Sequence, residues 1–232
     1  MTVSLEKLQT ELYCRWQPAI WQDYERMRDA LSNDATIQKV QLFFYDHQLL
    51  VENMGWEGLL HSEVRELLSL ILGLWLMQHP EIKSKILGSC LMEKLGKQAA
   101  APDIAIYIGE DLPKYRKGES RRINLDHEQV PNLVIEVADT TLDSDLDQKK
   151  HLYAELGVPE YWVIDTQSNQ VFIFILQDQR YFKAENSQLI VGFTASLLSQ
   201  TIEQMKAGSN ISAALWFSER LALFSSSKSV VN

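Results

Sequence analysis

The segment Asn132-Leu133-Val134-Ile135-Glu136-Val137-Ala138 is the most informative run of residues in this chain. Its apolar residues follow one another without the alternation of a half-exposed strand, which is typical of a central strand buried on both faces of a sheet. Glu136 interrupts the run, and a buried carboxylate without a partner is costly. The segment therefore predicts a central strand carrying an acid that is neutralised, ion-paired or bound to a metal ion.

The flanking sequence predicts helices packed against a mixed sheet, which is an α/β (α+β) fold. Leucines recur at helical spacing through residues 59–78, and Pro80 ends that helix. Further strands are expected at 102–108, 161–165 and 170–176, and helices at 145–156 and 211–224. Another strand pair is expected before the last helix.

The N-terminal third is predicted to be an addition to this core. A helical pattern over 4–31, interrupted at Pro18, precedes a hairpin whose strands, 40–45 and 49–51, are joined by Asp46-His47. The polar C-terminal residues are expected to fray. The predicted organisation is a helical extension at 1–36, a main domain at 37–224 and a flexible tail at 225–232.

A second acid stands beside a strand that otherwise resembles core. In Pro102-Asp103-Ile104-Ala105-Ile106-Tyr107, alternation places Asp103 on the face opposite to the isoleucines. Two such acids favour a hard cation such as Mg²⁺, which prefers carboxylate oxygens. The alternatives are a turn or capping role for Asp103 and an internal ion pair for Glu136.

A lysine is predicted to face the same sheet. On a helical wheel, Lys149 lies at the centre of an apolar stripe that includes Leu152 and Tyr153, whereas His151 points away. A lysine in that place can orient a water and stabilise negative charge that develops on a phosphate. Alternatively, Lys149 is the structural ion-pair partner of Glu136.

Composition excludes several classes of protein. The chain has 232 residues and a formal net charge of -9, so it can bury a full core, and it is unsuited to coating nucleic acid non-specifically. Its two cysteines, Cys14 and Cys90, have no ligand-like spacing, which favours a reducing, cytoplasmic compartment. The longest apolar run, 67–77, is too short for a membrane span.

Positive charge is concentrated in one loop between the two acidic strands. Its basic residues are Lys114, Arg116, Lys117, Arg121 and Arg122. Because the loop joins the strands of Asp103 and Glu136, we expect it to contact the phosphates of a nucleic acid. The alternative is a solvated loop, which is what charge-rich loops usually are.

These motifs together resemble a known family. Pro102-Asp103, Ile135-Glu136-Val137 and the run Asp145-x-x-x-Lys149-x-x-x-Tyr153-Ala154-x-x-Gly157-Val158-x-Glu160-Tyr161-Trp162 look like the bacterial Uma-two family of restriction-endonuclease-like proteins. That family belongs to the PD-(D/E)XK nuclease superfamily. The resemblance implies a restriction-endonuclease-like fold with a central mixed sheet flanked by helices.

The resemblance also implies a site. Asp103 and Glu136 would be metal ligands for Mg²⁺ or Mn²⁺, with the carbonyl of Val137 as a third and Glu63 as an additional one. The superfamily lysine would stand two residues after the glutamate, where this chain has Ala138. In the Uma-two pattern a helix lysine replaces it, and Lys149 occupies that position.

The sequence thus leads to a Mg²⁺-dependent endodeoxyribonuclease in which Asp103, Glu136 and Lys149 are catalytic. A homodimer is expected, since cutting both strands of a duplex commonly needs two active sites. One alternative is a non-catalytic nucleic-acid-binding or assembly protein that retains the fold, because Ala138 replaces the usual lysine. Another is a hydrolase acting on RNA or on a smaller phosphodiester.

Overall fold

The computed structural model describes residues 15–33, 40–53, 58–115, 117–118 and 122–228. The predicted helical residues 4–14 lie outside these ranges. The chain divides into two units, each with its own sheet. Unit 1 consists of the described residues of Met1–Glu57, Ser89–Pro102 and Pro113–Gln129, and unit 2 of those of Gly58–Gly88, Asp103–Leu112 and Val130–Asn232.

The sheet of unit 1 has the strand order β1-β3-β2-β6-β5-β8. Its strands are β1 (Gln17–Pro18), β2 (Val40–Tyr45), β3 (Gln48–Asn53), β5 (Met92–Lys94), β6 (Gln98–Ala100) and β8 (Ile123–Asn124). The predicted hairpin is confirmed, since Tyr45 pairs with Gln48 across Asp46 and His47, which both have positive φ.

Helix α1 (Trp21–Asn33) covers this sheet with Tyr24 and Met27, which pack against Leu42 and Phe44. The prediction of a helix over 4–31 is wrong for residues 17–18, where Pro18 belongs to β1 and pairs with Gln48. Proline lacks the N–H that a helix interior requires, and it is tolerated in an edge strand such as β1.

The sheet of unit 2 has the order β12-β11-β10-β9-β7-β4. Its strands are β4 (Ser84–Gly88), β7 (Ile104–Ile108), β9 (Leu133–Ala138), β10 (Glu160–Asp165), β11 (Val171–Gln177) and β12 (Arg180–Ala184). Strand β9 is parallel to β10, antiparallel to β7 and buried along its whole length. The quoted segment is therefore the central strand that the sequence predicts.

Three helices cover one face of this sheet: α2 (Leu59–Met77), α5 (Ala195–Ala207) and α6 (Asn210–Lys228). Their apolar side chains form one core with alternate residues of β7, β9, β10 and β11. The opposite face is packed by α3 (Leu142–Leu146) and α4 (Gln148–Leu156). Among the described residues, no helix is both long and apolar enough to cross a membrane.

Three expectations for unit 2 are corrected. The strand pair expected before the last helix is one strand, β12, followed by helix α5, which Thr194 caps by accepting the N–H of Leu197. The helix expected over 145–156 is interrupted at Asp147, where φ is -119° and ψ is -90°. Helix α6 continues to Lys228, beyond the predicted end at Phe224 and into the predicted tail, of which 229–232 lie outside the described residues.

Candidate active site

Strand register brings the two predicted acids to neighbouring positions in unit 2. Ile104 of β7 pairs with Ile135 of β9, and the antiparallel register therefore makes Asp103 and Glu136 the next opposed positions. Both acids are buried, with 3% and 1% of their surface exposed. Alternation along each strand predicts that each acid lies opposite the isoleucines, but only the pairing of β7 with β9 brings residues 103 and 136 to adjacent strands.

The side chain of Asp103, just before β7, accepts a backbone hydrogen bond from β9. Its Oδ2 accepts the backbone N–H of Val137 at 2.8 Å, just beyond the last paired residue of β7. Its Oδ1 lies 3.5 Å from Nε2 of His61 on α2. Burial by itself raises the pKa of Asp103, but the interaction with His61 and the Val137 N–H outweigh it and hold the pKa below its usual value.

Glu136 is held by two side chains of α4. Its Oε1 accepts a hydrogen bond from the hydroxyl of Tyr153 at 2.5 Å, and its Oε2 lies 3.5 Å from Nζ of Lys149. Burial and the nearby Glu136 carboxylate raise the pKa of Tyr153 well above its usual value. The hydroxyl of Tyr153 therefore stays protonated and donates its proton to the carboxylate.

Lys149 bridges two buried carboxylates. Its Nζ lies 2.8 Å from Oδ1 of Asp145, one turn earlier, and its side chain is as buried as that of Glu136. Asp145 is oriented in turn by Thr141, whose hydroxyl donates to Oδ2 at 2.6 Å. The lysine predicted to face the sheet does so, and its one positive charge offsets part of the negative charge of the two carboxylates in a low-dielectric interior.

The Val137 carbonyl faces the same edge of β9 as the side chain of Asp103. The N–H of Thr166 donates to Ala138, and that of Glu160 donates to Asn132, so the even-numbered carbonyls of β9 point towards β10. Residue 137 has the opposite orientation, and its N–H reaches Asp103. Its carbonyl therefore points away from β10, as a ligand beside Asp103 requires.

Helix α2 contributes His61 to this cluster. Glu63, the additional ligand suggested by the resemblance, lies two residues later and thus about 200° further around the helix. It is partly buried. His61 is the α2 residue with a contact to Asp103, and the part of Glu63 remains a prediction.

The ligand chemistry suits a hard divalent cation. Two carboxylates and one carbonyl are oxygen ligands, and Mg²⁺ is commonly held by one or two carboxylates together with waters. A carboxylate oxygen has more than one lone pair, so the hydrogen bonds from Val137 and Tyr153 leave acceptor capacity on Asp103 and Glu136. No group of three or more His, Cys, Asp or Glu side chains within the described ranges is arranged to hold a metal ion.

The predicted basic residues belong to the other unit. Lys114, Lys117 and Arg122 are part of unit 1, whereas Arg116 and Arg121 lie outside the described residues. Nε of Arg122 lies 2.6 Å from Oε2 of Glu93, a fully buried carboxylate of β5. Arg122 thus has a structural partner in its own unit.

Sequence reasoning missed this Glu93 cluster. Oε1 of Glu93 accepts hydrogen bonds from the hydroxyl of Tyr24 at 2.5 Å and from Nη1 of Arg28 at 3.0 Å. Burial and the bond to Glu93 raise the pKa of Tyr24 far above its usual value. The sequence carries little signal for it, because β5 reads Met92-Glu93-Lys94 and the partners of Glu93 are 69 and 65 residues away.

Sequence reasoning also missed partners within unit 2. The apolar stripe predicts a packing role for Tyr153, yet its hydroxyl donates to Glu136. Glu136 is the predicted ion-pair partner of Lys149, yet Asp145 is the nearer carboxylate. The i to i+4 spacing of Asp145 and Lys149 was a usable signal, because such residues are neighbours on a helix.

The central mixed sheet of unit 2 with helices on both faces defines a protein of restriction-endonuclease-like fold. The chain belongs to the Uma2 family, described as "Putative restriction endonuclease", whose model matches residues 21–205. This is the family that the sequence motifs resemble.

A solved structure supports the fold. The chain is similar to a protein from Anabaena variabilis ATCC 29413 that is described as "a putative nuclease belonging to DUF820", with 16% sequence identity and a TM-score of 0.51. The match covers 86% of this chain and 99% of that chain. At this identity the similarity concerns the fold alone. No curated protein matches the chain.

Proposed function

We propose that the chain is a Mg²⁺- or Mn²⁺-dependent endodeoxyribonuclease, a hydrolase that cleaves phosphodiester bonds in DNA. The observation that carries this proposal is the set of buried groups in which Asp103 accepts the N–H of Val137, the residue after Glu136, and Lys149 reaches Glu136 from a helix. Buried acids with a charged partner and a shifted pKa, as at Asp103, mark a candidate functional site.

Each residue of the cluster has a distinct part in the proposed reaction. Asp103, Glu136 and the Val137 carbonyl would hold the cation, which when bound supplies charge neutralisation at the phosphate and an acidified water. Tyr153 fixes the carboxylate of Glu136 by its hydrogen bond. Lys149 supplies the positive charge that positions the water and stabilises the phosphate as negative charge develops.

The remaining parts of the proposal rest on the sequence. Lys114, Arg116, Lys117, Arg121 and Arg122 would contact DNA phosphates, with Arg122 also serving the Glu93 cluster. A cytoplasmic location is part of the proposal, because two cysteines without ligand-like spacing suit a reducing compartment. A homodimer follows from the need for two active sites when both strands are cut.

A non-catalytic nucleic-acid-binding or assembly protein is the second candidate. Lys149 is buried and lies closer to Asp145 than to Glu136, 2.8 Å against 3.5 Å, which is the geometry of a structural ion pair. Ala138 stands where the superfamily has its lysine. Under this alternative, nucleic acid binds equally well to the wild-type protein and to Glu136→Gln.

The test compares cleavage by the wild type, Asp103→Asn and Glu136→Gln on supercoiled DNA, single-stranded DNA and RNA, with Mg²⁺, Mn²⁺ or EDTA. We expect metal-dependent cleavage of DNA that falls at least about a hundredfold in either variant, as for loss of an electrostatic group in a catalytic site. Cleavage of RNA but of neither DNA substrate would mean that the substrate is RNA and not DNA.

Glu160→Gln is the matched control. Glu160 is a buried carboxylate on β10 whose Oε2 accepts the backbone N–H groups of Gln188 and Leu189, so it has a structural role in the same sheet. Its variant should cleave DNA as the wild type does. Absence of cleavage by the wild type under all conditions, with retained nucleic-acid binding, would favour the non-catalytic protein.

A further inference from the structure

Two lysines of unit 2 are held over aromatic rings on the sheet face that carries Glu136. Nζ of Lys183 on β12 lies 4.7 Å from the ring centre of Phe172, and Nζ of Lys150 on α4 lies 4.8 Å from that of Phe174. The two rings are stacked with an interplanar angle of 6°. Cation–π contacts of this kind orient the ammonium groups while leaving their charge intact.

Strand pairing relates these lysines to the candidate active site. Glu136 pairs with Val163 of β10, and Val163 pairs with Phe172 of β11. Residues opposed across a sheet share a face, so Glu136 and Phe172 point to the same side, two strand spacings apart, or about 10 Å. Lys183 lies on the next strand, β12, at the edge of the sheet.

A continuous row of rings also connects the two places. Tyr153, which donates to Glu136, packs on Tyr161 with 5.0 Å between ring centres, and Tyr161 stacks on Phe174 at 6.1 Å. The rings near Glu136 are buried, whereas Phe172 and Lys150 are partly exposed and Lys183 is exposed. The row therefore runs from the buried acid to the two lysines at the surface.

We infer that Lys150 and Lys183 contact phosphates of a nucleic-acid strand whose neighbouring phosphodiester lies at Glu136. This inference rests on the proposed function and adds a substrate-binding surface within unit 2 itself. Charge complementarity supports it, because Lys150 and Lys183 are two oriented cations at the surface on the sheet face that carries Glu136, and cations of this kind attract phosphates. Stacking on Phe172 and Phe174 reduces the freedom that each lysine must lose on binding.

The test measures binding of a labelled single-stranded oligonucleotide by fluorescence anisotropy in EDTA across a salt series, so that cleavage does not contribute. For Lys150→Gln/Lys183→Gln, we expect the slope of log K against log salt to fall in magnitude by about 1.4, and affinity to fall about tenfold near 0.15 M salt. Lys150→Arg/Lys183→Arg keeps both charges and should retain the wild-type slope.

Arg220→Gln is the matched control, because Arg220 lies 4.9 Å from the ring centre of Trp216 on α6 and forms the same kind of contact outside the proposed surface. Its slope should equal that of the wild type. An unchanged slope in the double glutamine variant, an equal fall in Arg220→Gln, or no nucleic-acid binding by the wild type would overturn the inference.

The two proposals fail separately. If the wild type binds the oligonucleotide through these lysines but cleaves no nucleic acid, the lysine surface stands and the proposed nuclease activity fails. If the wild type cleaves DNA and the double glutamine variant binds with the wild-type slope, the proposed nuclease activity stands and the lysine surface fails.

Discussion

The carboxylate of Asp103 accepts the backbone N–H of Val137, with 2.8 Å between Oδ2 and N. Strand β7 begins at the next residue, Ile104, so the side chain of Asp103 accepts the hydrogen bond that a backbone carbonyl would accept in a longer strand. The same bond joins the two strands that carry the candidate acids, so Asp103 has a structural part in addition to any part in cation binding.

Asp103→Asn should make stability less dependent on pH in the acid range. Because the pKa of Asp103 is lowered in the folded protein, its charge stabilises the fold above the unfolded pKa of about 4, and this contribution is lost as pH falls through the folded pKa. Asn keeps an acceptor for Val137 but has no charge to lose. We expect its free energy of unfolding to fall less steeply below about pH 4, by up to about 1.4 kcal/mol per pH unit.

Urea denaturation of both proteins between pH 5 and the acid limit of folding measures this difference. Parallel pH profiles for the two proteins would contradict the lowered pKa of Asp103.

Lys149→Met should destabilise the protein strongly. The substitution removes the ammonium group between Asp145 and Glu136 and leaves two buried carboxylates without their cation. Breaking a buried ion pair by removing one partner costs about 3–5 kcal/mol. Guanidinium denaturation measures the loss, and Lys150→Met, at the adjacent and partly exposed lysine, is the control with an expected change below about 1 kcal/mol. Equal losses in the two variants would contradict the assignment of Lys149 to a buried ion pair.

Glu93→Gln should destabilise the chain through unit 1. Arg28, Arg122 and Tyr24 all place a donor on this carboxylate, and the amide removes the charge that compensates two guanidinium groups. The expected loss is about 3 kcal/mol by chemical denaturation. Glu110→Gln breaks the exposed ion pair with Lys83 and should cost less than about 0.5 kcal/mol. A loss in Glu93→Gln as small as that of the control would show that the buried charge is dispensable.

Gly157→Ala and Gly73→Ala should change stability in opposite directions. Gly157 ends α4 with φ of +83°, a left-handed conformation in which a Cβ is strained. Gly73 is inside α2, where an added Cβ meets nothing within 4 Å. We expect Gly157→Ala to lose about 1 kcal/mol and Gly73→Ala to gain about 0.5–1 kcal/mol in free energy of unfolding. Thermal denaturation of the pair tests this, and a gain in both would exclude strain at Gly157.

The elements of the core could be predicted from the sequence because the local spacing of apolar residues indicates both the type of element and its buried face. The uninterrupted apolar run of β9, the leucine spacing of α2 and the hairpin at Asp46-His47 are each found where the sequence predicts them. Helix α5 is not predicted, since the sequence indicates a strand pair before the last helix, where the structure has β12 and then α5. The candidate acids were also found, because a carboxylate inside an apolar strand is conspicuous.

The sequence by itself determined that Asp103, Glu136 and Lys149 face the sheet, although it gave no sign that Glu93 is buried. Only the tertiary structure decided their partners: His61 for Asp103, Tyr153 for Glu136 and Asp145 for Lys149. The tertiary structure also divides the chain into two units and pairs Arg122 with Glu93. The physical reason is that burial follows from the period of one element, whereas a partner depends on the register and packing of elements far apart in the chain.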